Sequence, residues 1–192
     1  MTESVGLMGD RQLGAPALGI GIGILSMVLV VTVSNIAVQY PINDWLTYGA
    51  LTYPIAFLVT DLTNRALGVA PARKVVYVGF AVAVGLSIWL ATPRIALASG
   101  AAFLIAQLLD IAIFDRLRRG SWWQAPLVSS TLASTLDTAL FFSLAFAGTG
   151  LPWVTWAIGD YGVKIAVALA LLIPFRLALK AILPVSRAPG SA

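Results

Sequence analysis

Long uninterrupted apolar runs, separated by short clusters of glycine, proline and polar residues, make up most of this chain. Such runs do not alternate as barrel strands do, and a hydrocarbon core about 30 Å thick takes roughly 20 helical residues to cross. The pattern predicts six membrane-spanning helices, over Ala17 to Val38, Gly49 to Leu67, Val75 to Ala91, Ile95 to Phe114, Ala125 to Ala147 and Val154 to Leu177. The breaks carry turn signals: Pro41, Asn43 and Asp44; Gly68 and Pro71; Thr92 and Pro93; Gly120; and Gly148, Gly150 and Pro152. The expected fold class is therefore an all-α integral membrane protein. A single six-helix bundle over residues 16–183 is flanked by short tails at 1–15 and 184–192.

Composition agrees with that reading. The chain is 59% hydrophobic and 10% charged, against roughly 25% charged residues in soluble domains. It has no cysteine and no histidine, which removes disulfides, thiolate nucleophiles, imidazole bases and the usual zinc ligands. No cofactor or metal is expected. The net charge of +4 does not suggest nucleic acid, because the basic residues punctuate apolar segments and form no accessible basic face with interleaved aromatics. The opening MTESVGLMGDRQLGAPA lacks the basic region, short apolar core and small-residue cleavage site of a signal peptide, so the first apolar run is expected to stay in the membrane.

An inside N-terminus puts Arg65, Arg73, Lys74, Arg116, Arg118, Arg119, Arg176, Lys180 and Arg187 at cytoplasmic ends and leaves Arg94 alone at an outer one. That is a positive-inside pattern with both termini cytoplasmic. In the first span Ala15, Gly19 and Gly23 form a small-residue stripe suited to a close helix contact, either within the bundle or with another protein.

Charges inside hydrocarbon cost about 2.5 to 3.5 kcal/mol each on insertion scales, so each needs a partner, an aqueous cavity or a function. In the second span Tyr53, Phe57, Thr60, Asp61 and Asn64 fall on one helical stripe. Arg65 lies one turn beyond Asp61 in the acid-before-base order that favours an i,i+4 pair. Those two are candidates for a structural ion pair or for the wall of a ligand site. In the fifth span, SSTLASTLDTALFF sets Ser130, Ser134, Asp137 and Phe141 on one face with Thr138 beside them. Asp137 has no basic residue within a turn, so it must be protonated, meet a charge from another helix or face water. It is a candidate both for binding substrate and for carrying a coupled proton.

The sixth span contains WVTWAIGDYGVK, with Asp160 and Lys164 four apart as a second candidate ion pair and Trp153 and Trp156 near the same side. Aromatic faces beside paired donors and acceptors suit a flat polar ligand, although tryptophans at a helix end also serve as interfacial anchors. Asn35 and Gln39 stand one turn apart in the first span, and Gln107 and Asp110 share a face of the fourth with Phe103 and Phe114. Asp110 is expected to pair with the arginines that follow Phe114; Gln107 is deeper and a better ligand candidate. The third span has almost no polar groups. One central pocket built by the other five is the expectation, with substrate contacts from Asn35, Phe57, Asp61, Gln107, Asp137, Trp156, Asp160 and Lys164.

The blocks SNIAVQYPI (34–42), TYPIAFLVTDLTNRALGVAPARKVV (52–76), RIALASGAAFLIAQLLD (94–110), FDRLRRGSWWQAPLVSSTLASTLDTALFF (114–142) and GDYGVKIAVALALLIPF (159–175) touch all six spans in order. Together they make the chain resemble the queuosine-precursor transporters of the vitamin uptake transporter group. Where many members of that group carry an acidic residue near Arg65, this chain has a base. The resemblance implies import of 7-deazaguanine bases, precursors of the tRNA nucleoside queuosine, across the bacterial inner membrane. It also implies a six-helix fold similar to the substrate-binding subunits of energy-coupling-factor vitamin transporters. The expected partners are a small deazapurine and the lipid bilayer, with no nucleic acid; a second copy or an energising partner is left open.

Two alternatives accompany that reading. One is a binding subunit that transports only when docked on a separate ATPase, since the chain has no Walker motif GxxxxGK[ST] of its own. The remote one is an intramembrane aspartyl hydrolase, because AIGDYG resembles part of a membrane-protease motif; the first glycine of GxGD is missing.

Overall fold

The computed structural model describes residues 3–37, 40–43, 45–90 and 92–180, the side chains of 3–15, 41, 47 and 90 excepted. Gln39, Asp44, Arg187 and the tail at 184–192 lie outside the described residues, as does the side chain of Ala15. In chain order the elements are α1 (Glu3–Ala37), β1 (Pro41–Asn43), β2 (Leu46–Thr47), α2 (Tyr48–Thr52), α3 (Ile55–Leu67), α4 (Val69–Leu90), α5 (Pro93–Leu117), α6 (Gln124–Phe146) and α7 (Trp153–Leu179). Five of them contain stretches long and apolar enough to cross a membrane: Pro16–Ala37, Val69–Trp89, Pro93–Leu117, Gln124–Phe146 and Trp153–Leu179.

The second expected span is not one helix. It consists of α2 and α3, parted at Tyr53 and Pro54. Proline has no N–H for the helical ladder and its ring crowds the carbonyl one turn back. The chain therefore turns and restarts, with the Ala56 and Phe57 amides donating to the Tyr53 and Pro54 carbonyls at 3.0 and 3.1 Å. The link before it also differs from expectation. The segment between the first and second spans folds into a small antiparallel hairpin, β1 against β2. Asn43 forms its turn, its side-chain oxygen accepting from the Trp45 and Leu46 amides at 2.9 and 3.0 Å.

The remaining breaks follow local chemistry. Gly68 ends α3 at φ +89°, a conformation open to glycine, and its amide donates to the Asn64 carbonyl at 3.0 Å, so α4 starts at once in a new direction. Thr92 caps α5, accepting from the Ile95 amide at 3.4 Å, with Pro93 at the first helical position. Arg94 crosses to the end of α6 and donates to the Leu144 and Ala147 carbonyls at 2.8 and 2.7 Å, satisfying acceptors that the helix leaves open.

Helices α1, α4 and α5 pack in sequence, and α5 lies along α6, which in turn contacts α7. Met27, Val31, Val75, Val76, Phe103 and Ile111 form the buried centre of this arrangement. The small-residue stripe serves it: a Cβ at Gly23 would meet Val75 at 2.9 Å and Thr63 at 3.0 Å, so α1 approaches α3 and α4 closely there. At the opposite end from the hairpin, Phe114 and Phe175 meet edge to face with ring centres 6.1 Å apart. Leu18, Leu25, Leu97 and Ile158 are exposed, and Trp89 is 89% exposed; such a surface suits lipid. No α4 residue lines the cavity described below; the buried Ser87 hydroxyl only donates to Asn35, which does line it, at 3.4 Å.

Candidate functional site

The break between α2 and α3 leaves room beside α7. Here α6 brings Asp137 and Thr138, α7 brings Asp160 and Lys164, and the break brings Tyr53, all to one point. Lys164 is 4% exposed, and its ammonium is held in place by three acceptors. It lies 2.7 Å from Asp137 Oδ2, 2.6 Å from Asp160 Oδ2 and 3.0 Å from Thr138 Oγ1, which uses all three of its protons. The Thr138 hydroxyl donates a hydrogen bond to Asp160 Oδ2 at 3.0 Å, and the Tyr53 ring centre is 5.7 Å from Lys164 Nζ. The expected Asp160–Lys164 pair is formed. Asp137 meets a cation from another helix, one of the three fates its sequence position left open.

This ion cluster forms one wall of a cavity of about 720 Å³ towards the hairpin end. Asn35, Asp137, Trp156, Asp160 and Lys164 all line it. An aromatic cluster faces it: Phe146 stands edge-on to Trp156 with ring centres 5.7 Å apart, and Phe141 and Phe142 meet at 5.1 Å. Asn43 and Trp45 of the hairpin line the mouth side. Asn35 is oriented by its own helix, its amide donating to the Val31 carbonyl at 2.9 Å. The Asp160 side chain keeps 18% of its surface exposed against 5% for Asp137, so Asp160 is the carboxylate most open to a ligand.

Phe57, Asp61 and Gln107 stand elsewhere, contrary to expectation. Gln107 is fully enclosed, its side-chain oxygen accepting from Thr60 at 2.6 Å across the α3–α5 contact. Phe57 and Asp61 border a separate small recess of about 20 Å³, room for one water, which Ser130, Ser134 and Lys164 also line. Asp61 does not pair with Arg65. The Arg65 guanidinium is nearer the helix end and donates to the Arg118 carbonyl at 2.7 Å, while Arg118 returns bonds to the Asn64 and Arg65 carbonyls at 3.0 Å each. Nor does Asp110 pair with the arginines after Phe114, because Arg118 takes Asp115 at 3.0 Å. Asp110 is instead fully enclosed, and neither of its side-chain oxygens has a hydrogen-bond partner among the described residues.

Sequence reasoning missed Phe142, Phe146, Asn43 and Trp45. The i,i+4 spacing of Phe142 and Phe146, one turn beyond Asp137 and Thr138, was the available signal for the first two. For the hairpin there was only the turn-forming asparagine.

A cavity with a charged cluster and aromatic walls suits a small polar ligand, and comparison with known sequences points to transport. The family model described as "Putative vitamin uptake transporter" matches residues 47–91 and 86–179. A Haemophilus influenzae protein named "Probable queuosine precursor transporter" is 33% identical, the match covering 77% of this chain and 80% of the relative. The Escherichia coli "Queuosine precursor transporter" is 32% identical over 76% of this chain and 79% of its own. A Bacillus subtilis "Probable queuosine precursor transporter" is 29% identical over 72% and 73%. No solved structure matches the chain. On the span of the family match and the identity to these relatives, the chain belongs to the vitamin uptake transporter family.

Proposed function

We propose that this protein is a secondary transporter importing a queuosine precursor, a 7-deazaguanine base, across the bacterial inner membrane. The second span in this reading is the broken pair α2 and α3, giving six spans in a bundle of the energy-coupling-factor substrate-subunit type. Both termini are cytoplasmic, because the basic residues gather at the end away from the hairpin. The cavity then lies on the outer side.

One observation carries the reading. A space of about 720 Å³ joins aromatic walls to a carboxylate–ammonium cluster, within the range of about 300–1,000 Å³ usual for small-molecule sites. A deazaguanine offers a flat face, two adjacent donors on its ring edge and a neighbouring carbonyl acceptor. Phe141, Phe146 and Trp156 suit the face. The partly exposed Asp160 carboxylate suits the paired donors, and an amide such as that of Asn35 suits the acceptor. A helix broken beside the site supports the same reading, since discontinuous helices commonly build transporter sites.

Transport against a gradient needs a driving ion, and the proton is proposed here. The test is uptake of labelled 7-deazaguanine into liposomes holding the purified chain alone. Accumulation driven by a proton gradient is the expected result; binding without flux would favour a subunit that needs a separate ATPase. The hydrolase alternative draws no support from relatives named as transporters, nor from two aspartates held apart by an ammonium.

A further inference from the structure

The cavity leaves a second group of polar residues unused. Asp61 on α3 and Asp110 on α5 are 2% and 0% exposed, and they lie where two bonds tie these helices together, Thr60 donating to Gln107 at 2.6 Å and the Asn64 amide to the Ile111 carbonyl at 3.1 Å. Among the described residues neither has an ion pair. Both Asp110 oxygens lack a donor among the described residues, and Asp61 receives a long bond from the Ser129 hydroxyl, at 3.5 Å. Around them the Gln107 side-chain amide, a turn before Asp110 and fully enclosed, also has no acceptor, and the Asn64 oxygen no donor.

α6 presents Ser129 and Ser130 to this place, and its one charged residue, Asp137, is held by Lys164; Arg176 of α7 is exposed. The described side chains of α1 carry no charge, and Arg73 and Lys74 of α4 are exposed. Arg65 and Arg118 spend their donors on carbonyls and Asp115. Lys164 spends its three on the cavity cluster. Two neighbouring carboxyls in an enclosed, low-dielectric place without a cation are costly to hold ionised together.

We propose that the Asp61–Asp110 pair binds the coupling proton, at a site separate from the substrate cavity and joined to it through the recess lined by Asp61, Ser130, Ser134 and Lys164. One proton enters and leaves per cycle, carried as the shared hydrogen between the two carboxyls. The recess has room for a single water to pass it. One turn beyond the pair, the reciprocal Arg65 and Arg118 bonds tie α3 to the α5–α6 link. Opening that clasp hydrates the pair and releases the proton on the basic side; while the clasp is closed, the pair keeps it. This inference rests on the transporter reading and deepens it.

The experiment uses proteoliposomes with the membrane potential clamped, labelled 7-deazaguanine, and the full chain as wild type, Asp61→Asn and Asp110→Asn. With one proton per substrate, a gradient of one pH unit sustains about a tenfold accumulation. Wild type is expected to reach it. Asp110→Asn is expected to bind substrate and exchange it across the membrane at near-normal rates, yet to accumulate none and to ignore a protonophore. Infrared difference spectra should show a protonated-carboxyl band in wild type that both variants lose. Gradient-driven accumulation by Asp110→Asn equal to wild type would overturn the proposal, as would accumulation that follows sodium and not pH. Should the variants fold poorly, the wild-type band decides: its absence overturns the proposal. A wild type that neither binds nor moves the base, but keeps the band, would fail the transporter reading and leave the shared proton standing.

Discussion

The molecule holds two groups of buried aspartates that look alike in sequence and are opposite in surroundings. Asp137 and Asp160 share one ammonium at 2.7 and 2.6 Å, and they border a wide cavity. Asp61 and Asp110 share no cation and are sealed between helices beside a recess of about 20 Å³. A carboxylate with a fixed counter-charge can stay ionised and offer its free oxygen to a ligand's donors. A buried carboxyl without a counter-charge is the better holder of a proton. Under the proposed function, the contrast assigns the first group to the substrate and the second to the proton.

Removing the counter-charge should erase the contrast most completely. Lys164→Met turns the cavity cluster into a second cation-free pair of acids, and breaking a buried ion pair from one side costs about 3–5 kcal/mol. A large fall in melting temperature with loss of substrate affinity is expected, both measurable on the detergent-solubilised chain. Next comes a comparison within the cluster. Asp160→Asn removes the more accessible charged acceptor, for which about 1.5–3 kcal/mol of binding is the usual scale. Calorimetric titration should show that loss, with a smaller change in thermal stability than for Lys164→Met.

Smaller still is Trp156→Ala. It takes away one aromatic wall, set edge-on to Phe146, and should weaken binding by about 0.5–1.5 kcal/mol beyond the lost area, without altering the proton dependence of uptake. Gln107→Leu should have the least effect on ligand. The side chain touches Thr60 and not the cavity, so affinity should stay at the wild-type value in the same titration. A marked loss of affinity in Gln107→Leu would put the substrate among the α3–α5 residues and undo the division.

Much of the fold was legible because lipid demands long apolar runs: the spans ending α1 and forming α4 to α7 follow directly from their length. The second span was not, because apolar continuity from Gly49 to Leu67 hid the effect of Pro54, which was visible in the sequence but outweighed by the run around it. Among the charges, local spacing found Asp160 with Lys164. The same rule misplaced Arg65, since a long basic side chain near a helix end has backbone carbonyls within reach as well as the acid one turn back. The meeting of Asp137 with Lys164, and of Asp61 with Asp110, depends on which helix faces which across the bundle. No spacing within a helix carries that information, so a residue such as Asp137 read alone had three open fates and the tertiary contact chose one.

Ligand discrimination at the cavity is the most direct check. Equilibrium binding of 7-deazaguanine should be compared with that of a deazapurine lacking the two adjacent donors, in wild type and in Asp160→Asn. Wild type should prefer the deazaguanine by at least about tenfold, because a buried acceptor left unpaired is costly, and the variant should lose most of that preference. Equal binding of both bases by wild type, or an undiminished preference in Asp160→Asn, would contradict the assignment of this cavity to the substrate.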